Sequence, residues 1–189
     1  MRKSKADAAE TRQTIVNVAA EEFRLNGISA TGLIALMSKA GLTHGGFYKH
    51  FESKDQLVAE ACSSAIDGLV ARFKEDSAAG GRQGFMSIVD SYLSMEHRDD
   101  RAGGCPLAGM GSELVRADDR ARAAAAQGFD DLVAVMAGSL AQEGTAHARS
   151  DAGFAMAAMV GAMTMSRLMS DPADAAELLD DVRRRLSLI

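Results

Sequence analysis

The residues best suited to chemistry lie in one short segment, 43–50, in which hydrogen-bonding side chains surround two successive glycines. Hydrogen-bond donors on a surface of small residues match the acceptors that phosphate oxygens and base edges present. Two glycines in a row cost up to about 1 kcal/mol each of helix stability, so a requirement other than folding favours them. Close approach to nucleic acid is the simplest such requirement. The six residues in question are Thr43, His44, Gly45, Gly46, Tyr48 and Lys49.

The charge distribution supports a negatively charged partner for this segment. The whole chain carries a net charge of −5, but residues 1–55 hold eight Lys and Arg against six Asp and Glu, which leaves −7 for residues 56–189. No acidic residue occurs from Phe23 through Phe51. A polyanion therefore meets no repulsive carboxylate from this part of the chain.

Two helices are predicted to position the segment from its N-terminal side. Apolar residues recur at helical spacing over residues 7–26, with Asp7 and Glu10 spaced as a capping pair and Gly27 ending the helix. A second, short helix is predicted over residues 31–39. The stripe that the first helix buries consists of Ile15, Val16, Ala19, Ala20 and Phe23.

The segment itself is predicted to form a third helix. Gly41 breaks the second helix, and the Thr43 hydroxyl is expected to cap the third. Leu42 and Phe47 are the expected buried anchors of this helix. Two helices joined by a tight glycine turn form a helix-turn-helix, whose second helix enters the DNA major groove.

Residues 10–62 resemble the DNA-binding domain of the tetracycline-repressor (TetR) family. The resemblance rests on the helix ending at Gly27, on residues 31–42, and on the run GGFYKHFESKDQL at residues 45–57. It implies a repressor that binds a palindromic operator in double-stranded DNA and that a small-molecule effector releases. The implied phosphate contacts are Thr43, Tyr48, Lys49 and Lys54. The residues implied to face base edges are His44, Gly45 and Gly46.

Three residues of this region also allow a structural interpretation. Tyr48 and His50 suit packing as well as binding, since His50 directly precedes the apolar Phe51. Lys54 lies in the first turn of the next helix, where the helix dipole disfavours a cation unless a phosphate is near. The sequence leaves both interpretations open.

The rest of the chain is predicted to be helical, which makes the fold class all-α. Only two prolines are present, and Ala, Leu and Met are abundant. Ser53 and Gln56 form a capping box that opens a long helix reaching Phe73. This helix bridges an N-terminal domain, residues 1–55, and a body, residues 56–189. Further helices are predicted over residues 85–95, 107–115, 118–142 and 151–169 and from Asp171-Pro172 onward.

The methionine-rich body suggests an effector pocket. Nine of the eleven methionines lie in residues 56–189, and methionine suits adaptable apolar pockets. An apolar or mildly polar small molecule is the expected effector, and core filling is the alternative explanation of the same residues. The helix from Ser53 to Phe73 is expected to carry the effect to the DNA by itself. The candidate pocket residues are Phe85, Tyr92, Met95, Met110, Phe129, Met136, Met159 and Met163.

Cys105 suggests a second kind of effector. The segment GGCPLAGMGSEL, residues 103–114, is similar to one in a TetR subgroup that includes drug-responsive and electrophile-responsive repressors. Cys105 is expected just before a helix, whose N-terminal dipoles would lower the pKa of its thiol and favour reaction with an electrophile. A buried structural cysteine is the alternative.

A homodimer is expected, because one helix-turn-helix reads too few base pairs and a palindrome matches a twofold axis. Two stripes of mostly small residues at helical spacing permit close helix approach, either between subunits or within one. The first stripe is Ala155, Ala158, Ala162 and Ser166, and the second is Ala124, Gly128, Leu132 and Val135.

Several other function classes find little support in the sequence. Cys62 and Cys105 cannot build a disulfide framework, and the four scattered histidines lack zinc spacing, so no metal or cofactor is expected. No signal segment or membrane span is recognised, so a reducing cytoplasm is the expected location. Two alternatives are an enzyme with Cys105 as nucleophile and His97 as base, and a helical interaction protein without DNA binding.

Overall fold

The computed structural model describes residues 5–142, 144 and 146–189. Residues 1–4 of the predicted N-terminal domain lie outside the described residues. Among the described residues, α-helices and two short 3-10 helices are joined by turns and no strand occurs, so the predicted all-α fold is confirmed. The α-helices are α1 Lys5–Asn26, α2 Leu33–Lys39, α3 Lys54–Asp76, α4 Gly81–Tyr92, α5 Met95–Asp99, α6 Pro106–Leu114, α7 Asp119–Ala141, α8 Ala148–Ser166 and α9 Pro172–Leu186. The 3-10 helices are His44–Lys49 and Ser77–Ala79.

Side-chain caps set several of these boundaries. The Ser53 hydroxyl accepts a hydrogen bond from the Gln56 amide at 3.1 Å where α3 begins. Asp171 accepts an amide hydrogen bond at the start of α9. Both predicted caps are confirmed. The predicted cap at Asp7 is wrong, because Asp7 lies inside α1, which already includes Lys5.

The N-terminal domain forms where α1 packs along α3, α2 packs on α1, and the 3-10 helix His44–Lys49 packs on α2. Arg12 on α1 pairs with Glu60 on α3, and its guanidinium lies 4.2 Å from the centre of the Phe51 ring. This arrangement ties the chain that follows the 3-10 helix to both long helices. The apolar side chains buried between them include Ile15, Ala19, Phe23, Phe47, Phe51 and Leu57.

The body is built on α3 and α7, which pack along each other over several turns. Gly128 permits this contact, because the side chain of Ile66 occupies the space that a Cβ would need. Leu132, one turn further along α7, is fully buried. The stripe through Gly128 and Leu132 therefore packs inside the subunit, and the expectation that it forms a dimer face is wrong.

The small-residue stripe of α8 is also internal to the subunit. Ala155, Ala162 and Ser166 are buried, so this stripe is not free to meet a second chain. A different side of α8 is exposed and apolar, with Phe154 at 65% exposure, and Leu168, two residues after the helix ends, continues it at 73%. We call it the exposed α8 face, and it consists of Phe154, Ala157, Gly161, Met165 and Leu168.

Candidate nucleic-acid interface

The 3-10 helix His44–Lys49 takes the place of the predicted third α-helix. Thr43 precedes it in an extended conformation without a side-chain cap, so the expected hydroxyl cap is wrong. Phe47 is fully buried and stacks on Phe51, with 5.5 Å between ring centres. Phe47 is thus confirmed as an anchor, while Leu42 is only half-buried. One aromatic side chain fixes this short helix to the domain.

The side chains around this anchor point to solvent. Tyr48 is 65% exposed, and its ring meets that of His44 edge-on at 6.2 Å between centres. Lys49 and Thr43 are also exposed, and Gly46 is half-buried. Six of the seven predicted DNA contacts therefore lie together on one short stretch of surface: Thr43, His44, Gly45, Gly46, Tyr48 and Lys49.

The two glycines of this surface have no role that the rest of the protein explains. Neither Gly45 nor Gly46 has a positive φ. A Cβ on Gly45 would meet no atom within 4 Å, and one on Gly46 would lie 3.8 Å from Met37 and from Thr43, which is ordinary contact. An external partner that approaches the backbone closely would account for both.

Lys54, the seventh predicted contact, is held inside the domain. Its ammonium donates to the backbone carbonyl of Ile28, and it lies 5.9 Å from the centre of the Phe23 ring. This bond ties the start of α3 to the turn between α1 and α2, and it offsets the unfavourable helix dipole without a phosphate. A phosphate contact by Lys54 stays a prediction.

A carboxylate from the body clamps the turn between α1 and α2. Glu113 on α6 accepts hydrogen bonds from the backbone amides of Ile28 at 2.8 Å and Ser29 at 2.9 Å. Burial raises the pKa of Glu113, but the hydrogen bonds from Ser29 and Ile28 and the charge of Arg116 together hold the pKa below its ordinary value. Gly27 leaves room for the carboxylate, since its φ is +86° and a Cβ there would lie 2.7 Å from Glu113 Oε2.

Two arginines reinforce this junction. Arg101 donates to the carbonyl of Leu25 at 2.9 Å, and Arg24 donates to the carbonyl of Ala102. We call these bonds and the Glu113 bonds together the α1–α6 junction. The sequence suggests that the bridging helix α3 is the sole connection between domain and body. The α1–α6 junction is a second connection. Neither the glutamate nor the arginines carried a sequence signal for this role, because 85 residues separate Ile28 from Glu113.

An apolar opening of about 510 Å³ lies in the body between α6, α7 and α8. Arg122 is its single charged lining residue among those described. Phe129 is the one predicted pocket residue that lines it, while Tyr92 borders a smaller crevice of mixed polarity. The complete lining is Leu107, Gly111, Leu114, Val115, Arg122, Ala125, Ala126, Phe129, Ala157 and Val160, which we call the α6–α8 groove.

The other predicted pocket residues do not come together around an opening. Met95 is half-buried near the start of α5. Six more lie in the packed core with 2% exposure or less, where their side chains fill space between helices. A ligand-binding role for them stays a prediction. These six are Phe85, Cys105, Met110, Met136, Met159 and Met163.

Cys105 lies in a setting that opposes reactivity. Its side chain is fully buried, and this burial raises the pKa of the thiol, although the nearby Tyr92 hydroxyl and the first amides of α6 act in the opposite direction. The expected lowering of the Cys105 pKa is wrong because desolvation outweighs the helix N-terminus. His97 does not contact the thiol as a base: its Nε2 accepts from the Cys105 backbone N–H at 3.0 Å, and Nδ1 lies 2.7 Å from the Tyr92 carbonyl.

Neither a metal centre nor a membrane-spanning helix occurs among the described residues. No group of three or more His, Cys, Asp or Glu side chains there is placed to hold a metal ion. None of the helices described is both long enough and apolar enough to cross a membrane.

Two family models match the chain. One, described as "Bacterial regulatory proteins, tetR family", covers residues 15–61. The other, described as "Transcriptional regulator LmrA/YxaF-like, C-terminal domain", covers residues 82–182, more than half of the chain. The first contains the 3-10 helix, and the second contains the α6–α8 groove.

Curated relatives match a shorter part of the chain. The HTH-type transcriptional regulator AcrR of Shigella flexneri is 32% identical over 104 residues, which cover 51% of this chain and 48% of that protein. The HTH-type transcriptional repressor KstR2 of Mycolicibacterium smegmatis is 30% identical over 93 residues, which cover 48% and 45%. The chain thus spans about half the length of the curated relatives it matches.

Solved structures share the fold over nearly the whole chain. The reduced form of NemR from E. coli has a TM-score of 0.79 at 18% identity and covers 95% of this chain and 96% of its own. A TetR transcriptional regulator from Chloroflexus aurantiacus has a TM-score of 0.75 at 24% identity, with 97% and 95% covered. At these identities the likeness establishes the fold alone.

Proposed function

Because this chain belongs to the TetR family of bacterial regulatory proteins, we propose that it is a transcriptional repressor that binds double-stranded DNA. The observation that carries the proposal is the glycine pair of the 3-10 helix. Neither backbone conformation nor internal packing requires Gly45 or Gly46, whereas a helix that enters the major groove benefits from small residues. The exposed donors around them supply hydrogen bonds to phosphates and bases.

Separate roles for the exposed donors make the proposal testable. Lys49→Gln should weaken binding to every operator by a similar factor and lower the slope of log K against log salt by about 1, because phosphate contacts carry no sequence information. His44→Ala should instead change which operator is preferred. Fluorescence anisotropy with selected genomic fragments at several salt concentrations measures both. No DNA binding at all would favour the interaction-protein alternative, and DNA binding that neither substitution alters would contradict the roles assigned to Lys49 and His44.

The repressor is proposed to act as a homodimer on a palindromic operator. The exposed α8 face offers an apolar surface that the monomer leaves uncovered, and a twofold pair of such faces buries it. Half-sites should lie one helical turn of DNA apart, about 34–36 Å, or a multiple of it. Phe154→Glu should convert the dimer to a monomer in light scattering, whereas Ala134→Glu, on an exposed side of α7, should not.

The effector is proposed to be an apolar small molecule bound in the α6–α8 groove. The groove volume of about 510 Å³ lies within the range of small-molecule sites, roughly 300–1,000 Å³. Gly111 and Leu114 line the groove from α6, and Glu113 between them holds the turn between α1 and α2. A ligand that displaces α6 would therefore loosen the α1–α6 junction. Coupling of about 1–3 kcal/mol, a 5- to 150-fold loss of DNA affinity, is the expected scale.

A filled groove tests this assignment. Ala126→Phe should occupy the groove and abolish release by an effector, while leaving operator affinity unchanged. Ala134→Phe adds the same side chain to the same helix outside the groove and should respond like the parent protein. Equal release of all three proteins from a labelled operator would place the effector elsewhere.

An electrophilic effector that modifies Cys105 is the second candidate, and it requires an opened state because the thiol is fully buried. Cys105→Ser should then abolish release by electrophiles and spare DNA binding, and equal release in both proteins would remove Cys105 from the mechanism.

Burial also raises the pKa of Cys62 to about 11. Two buried, unpaired thiols fit a reducing cytoplasm, where we propose that the protein acts.

The enzyme alternative has less support, because backbone groups occupy both ring nitrogens of His97.

A further inference from the structure

Four arginines line a crevice of about 430 Å³ where the end of α1 meets the body. The walls come from α1, the end of α5 and the loop after it, α6, and the end of α8 together with the residues that follow it. Among the described residues that line it, Asp99 is the one carboxylate. The four arginines are Arg24, Arg98, Arg101 and Arg167, and we call this opening the arginine crevice.

Part of each arginine is used to hold the fold together. Arg98 donates to the carbonyls of Ser166 and Met169, both at 3.1 Å, near the C-terminal end of α8. Arg167 donates to the carbonyls of His97 and Arg98 in α5. These helix ends carry partial negative charge, so they offset some of the positive charge.

Three of the arginines keep N–H donors that the described part of the protein does not use. A guanidinium has five N–H donors, and the hydrogen bonds found among the described residues use one of Arg24, one of Arg101 and two of Arg167. The other N–H groups of these three side chains have no hydrogen-bond partner among the described residues. Guanidinium forks match the paired oxygens of phosphate and carboxylate.

Carboxylates of the protein compensate these charges only in part. Asp99 pairs with Arg98 but is 67% exposed, and Asp100 accepts a hydrogen bond from the Gly103 amide. Burial lowers the pKa of Arg24 in spite of the nearby Glu21 and Asp100, and it lowers the pKa of Arg167 in spite of the nearby Asp100. Half-buried cations of this kind carry a desolvation cost that a bound anion would offset.

We propose that the arginine crevice binds a small, doubly charged oxyanion, either free phosphate or the terminal phosphate of a metabolite. The crevice shares no lining residue with the α6–α8 groove, so it is a second ligand site, independent of the proposed effector. Arg24 belongs to α1 and the other three arginines belong to the body. The bound oxyanion therefore joins the two sides of the α1–α6 junction.

Thermal unfolding of the full chain in sodium phosphate, at constant ionic strength set with sodium chloride, tests the site. Phosphate should raise Tm saturably by about 2–4 °C over chloride alone, and acetate should raise it less. Glycerol phosphate raises Tm as well if the site takes phosphate esters, and only inorganic phosphate does so if it takes the free ion. A rise in phosphate no larger than in chloride overturns the proposal.

Two substitutions assign the effect to the crevice. Arg101→Gln removes an exposed guanidinium, so the variant should fold, and it should lose the phosphate-dependent rise. Lys49→Gln removes a cation from the proposed DNA-binding surface and should keep the rise. An Arg101→Gln protein that responds to phosphate like the parent overturns the proposal, as does a response lost in Lys49→Gln alone. Isothermal titration of the parent should give one phosphate per chain.

Discussion

The surface of the 3-10 helix and the α6–α8 groove are both open to solvent, but they are built in different ways. The 3-10 helix takes its anchor, Phe47, and its exposed donors from consecutive residues. The groove takes its walls from three helices within residues 107–160. Local sequence therefore determines the first surface, whereas the second forms only when the helices of the body pack together.

The two surfaces also differ in what the rest of the molecule explains. Packing inside the protein does not require glycine at Gly45 or Gly46 of the 3-10 helix His44–Lys49, and this points to a partner outside the protein. The groove borders α6, whose Glu113 holds the turn between α1 and α2. One surface is suited to reading a fixed partner, and the other is suited to changing how firmly the reading domain is held.

Phe47→Ala should have the largest effect on this comparison. Phe47 is fully buried and stacks on Phe51, so its removal should lower the free energy of unfolding by about 3–5 kcal/mol. Tyr48→Ala is the matched control, because Tyr48 is the exposed neighbour and its loss should cost less than about 0.5 kcal/mol. DNA affinity should nevertheless fall in Tyr48→Ala. Urea unfolding followed by circular dichroism separates the two, and similar losses of stability would make Tyr48 a packing residue.

Glu113→Ala should have an intermediate effect and would show whether α6 holds the N-terminal domain. The two amide bonds to a partly solvated carboxylate should contribute about 1–2 kcal/mol. Hydrogen exchange at the Ile28 and Ser29 amides should speed up accordingly, while the core of α3 stays protected. Ser112→Ala changes an exposed neighbour on the same helix and should leave this exchange slow. Unchanged exchange in Glu113→Ala would contradict the clamp.

Alanine at Gly45 and Gly46 should move stability and DNA binding in opposite directions. Each substitution should raise the free energy of unfolding by about 0.5–1 kcal/mol, since alanine restricts the unfolded chain and both sites have room for a methyl group. Operator affinity should fall, because the added methyl groups face the DNA. A double variant that is more stable and binds as tightly as the parent would show that the glycines are not there for DNA.

The same difference between the two surfaces explains which features the sequence predicts. Periodicity and capping residues such as Ser53 and Asp171 located most helices, because these signals act within a few residues. The buried anchor Phe47 was found for the same reason. The predicted cap at Thr43 is wrong, since the segment after it forms a 3-10 helix with two glycines rather than an α-helix.

Features that depend on contacts between residues far apart in the chain are not predicted from the sequence. Residue type predicts Met136, Met159 and Met163 as pocket residues, but it does not reveal which helix face meets the core, and all three are fully buried. Glu113 reaches a turn 85 residues away, and no periodic pattern predicts such a meeting. The groove and the α1–α6 junction therefore had to come from the structure.

His97 should give the smallest effect, a pH dependence of stability in the body. Nε2 accepts from the Cys105 amide and Nδ1 lies against the Tyr92 carbonyl, so the site suits the neutral ring with its proton on Nδ1. Burial lowers the pKa of His97 below its ordinary value of 6.5, and the charges of Arg167 and Arg72 lower it further. Protonation would place a second N–H against the Cys105 amide.

The sign of the pH effect follows from proton binding. Below pH 6.5 the unfolded chain takes up a proton that the folded chain still refuses, so the stability contributed by neutral His97 is fully present above that pH and is lost as pH falls through the folded pKa. One group can contribute a slope of at most about 1.4 kcal/mol per pH unit. Urea unfolding at about pH 7.5 and about pH 5.5 gives the change in the free energy of unfolding with pH. This change should be smaller in His97→Asn than in the parent, whereas His147→Asn, at an exposed position, should keep the parent's value. The same change in all three proteins would mean that carboxylates, and not His97, cause the loss of stability in acid.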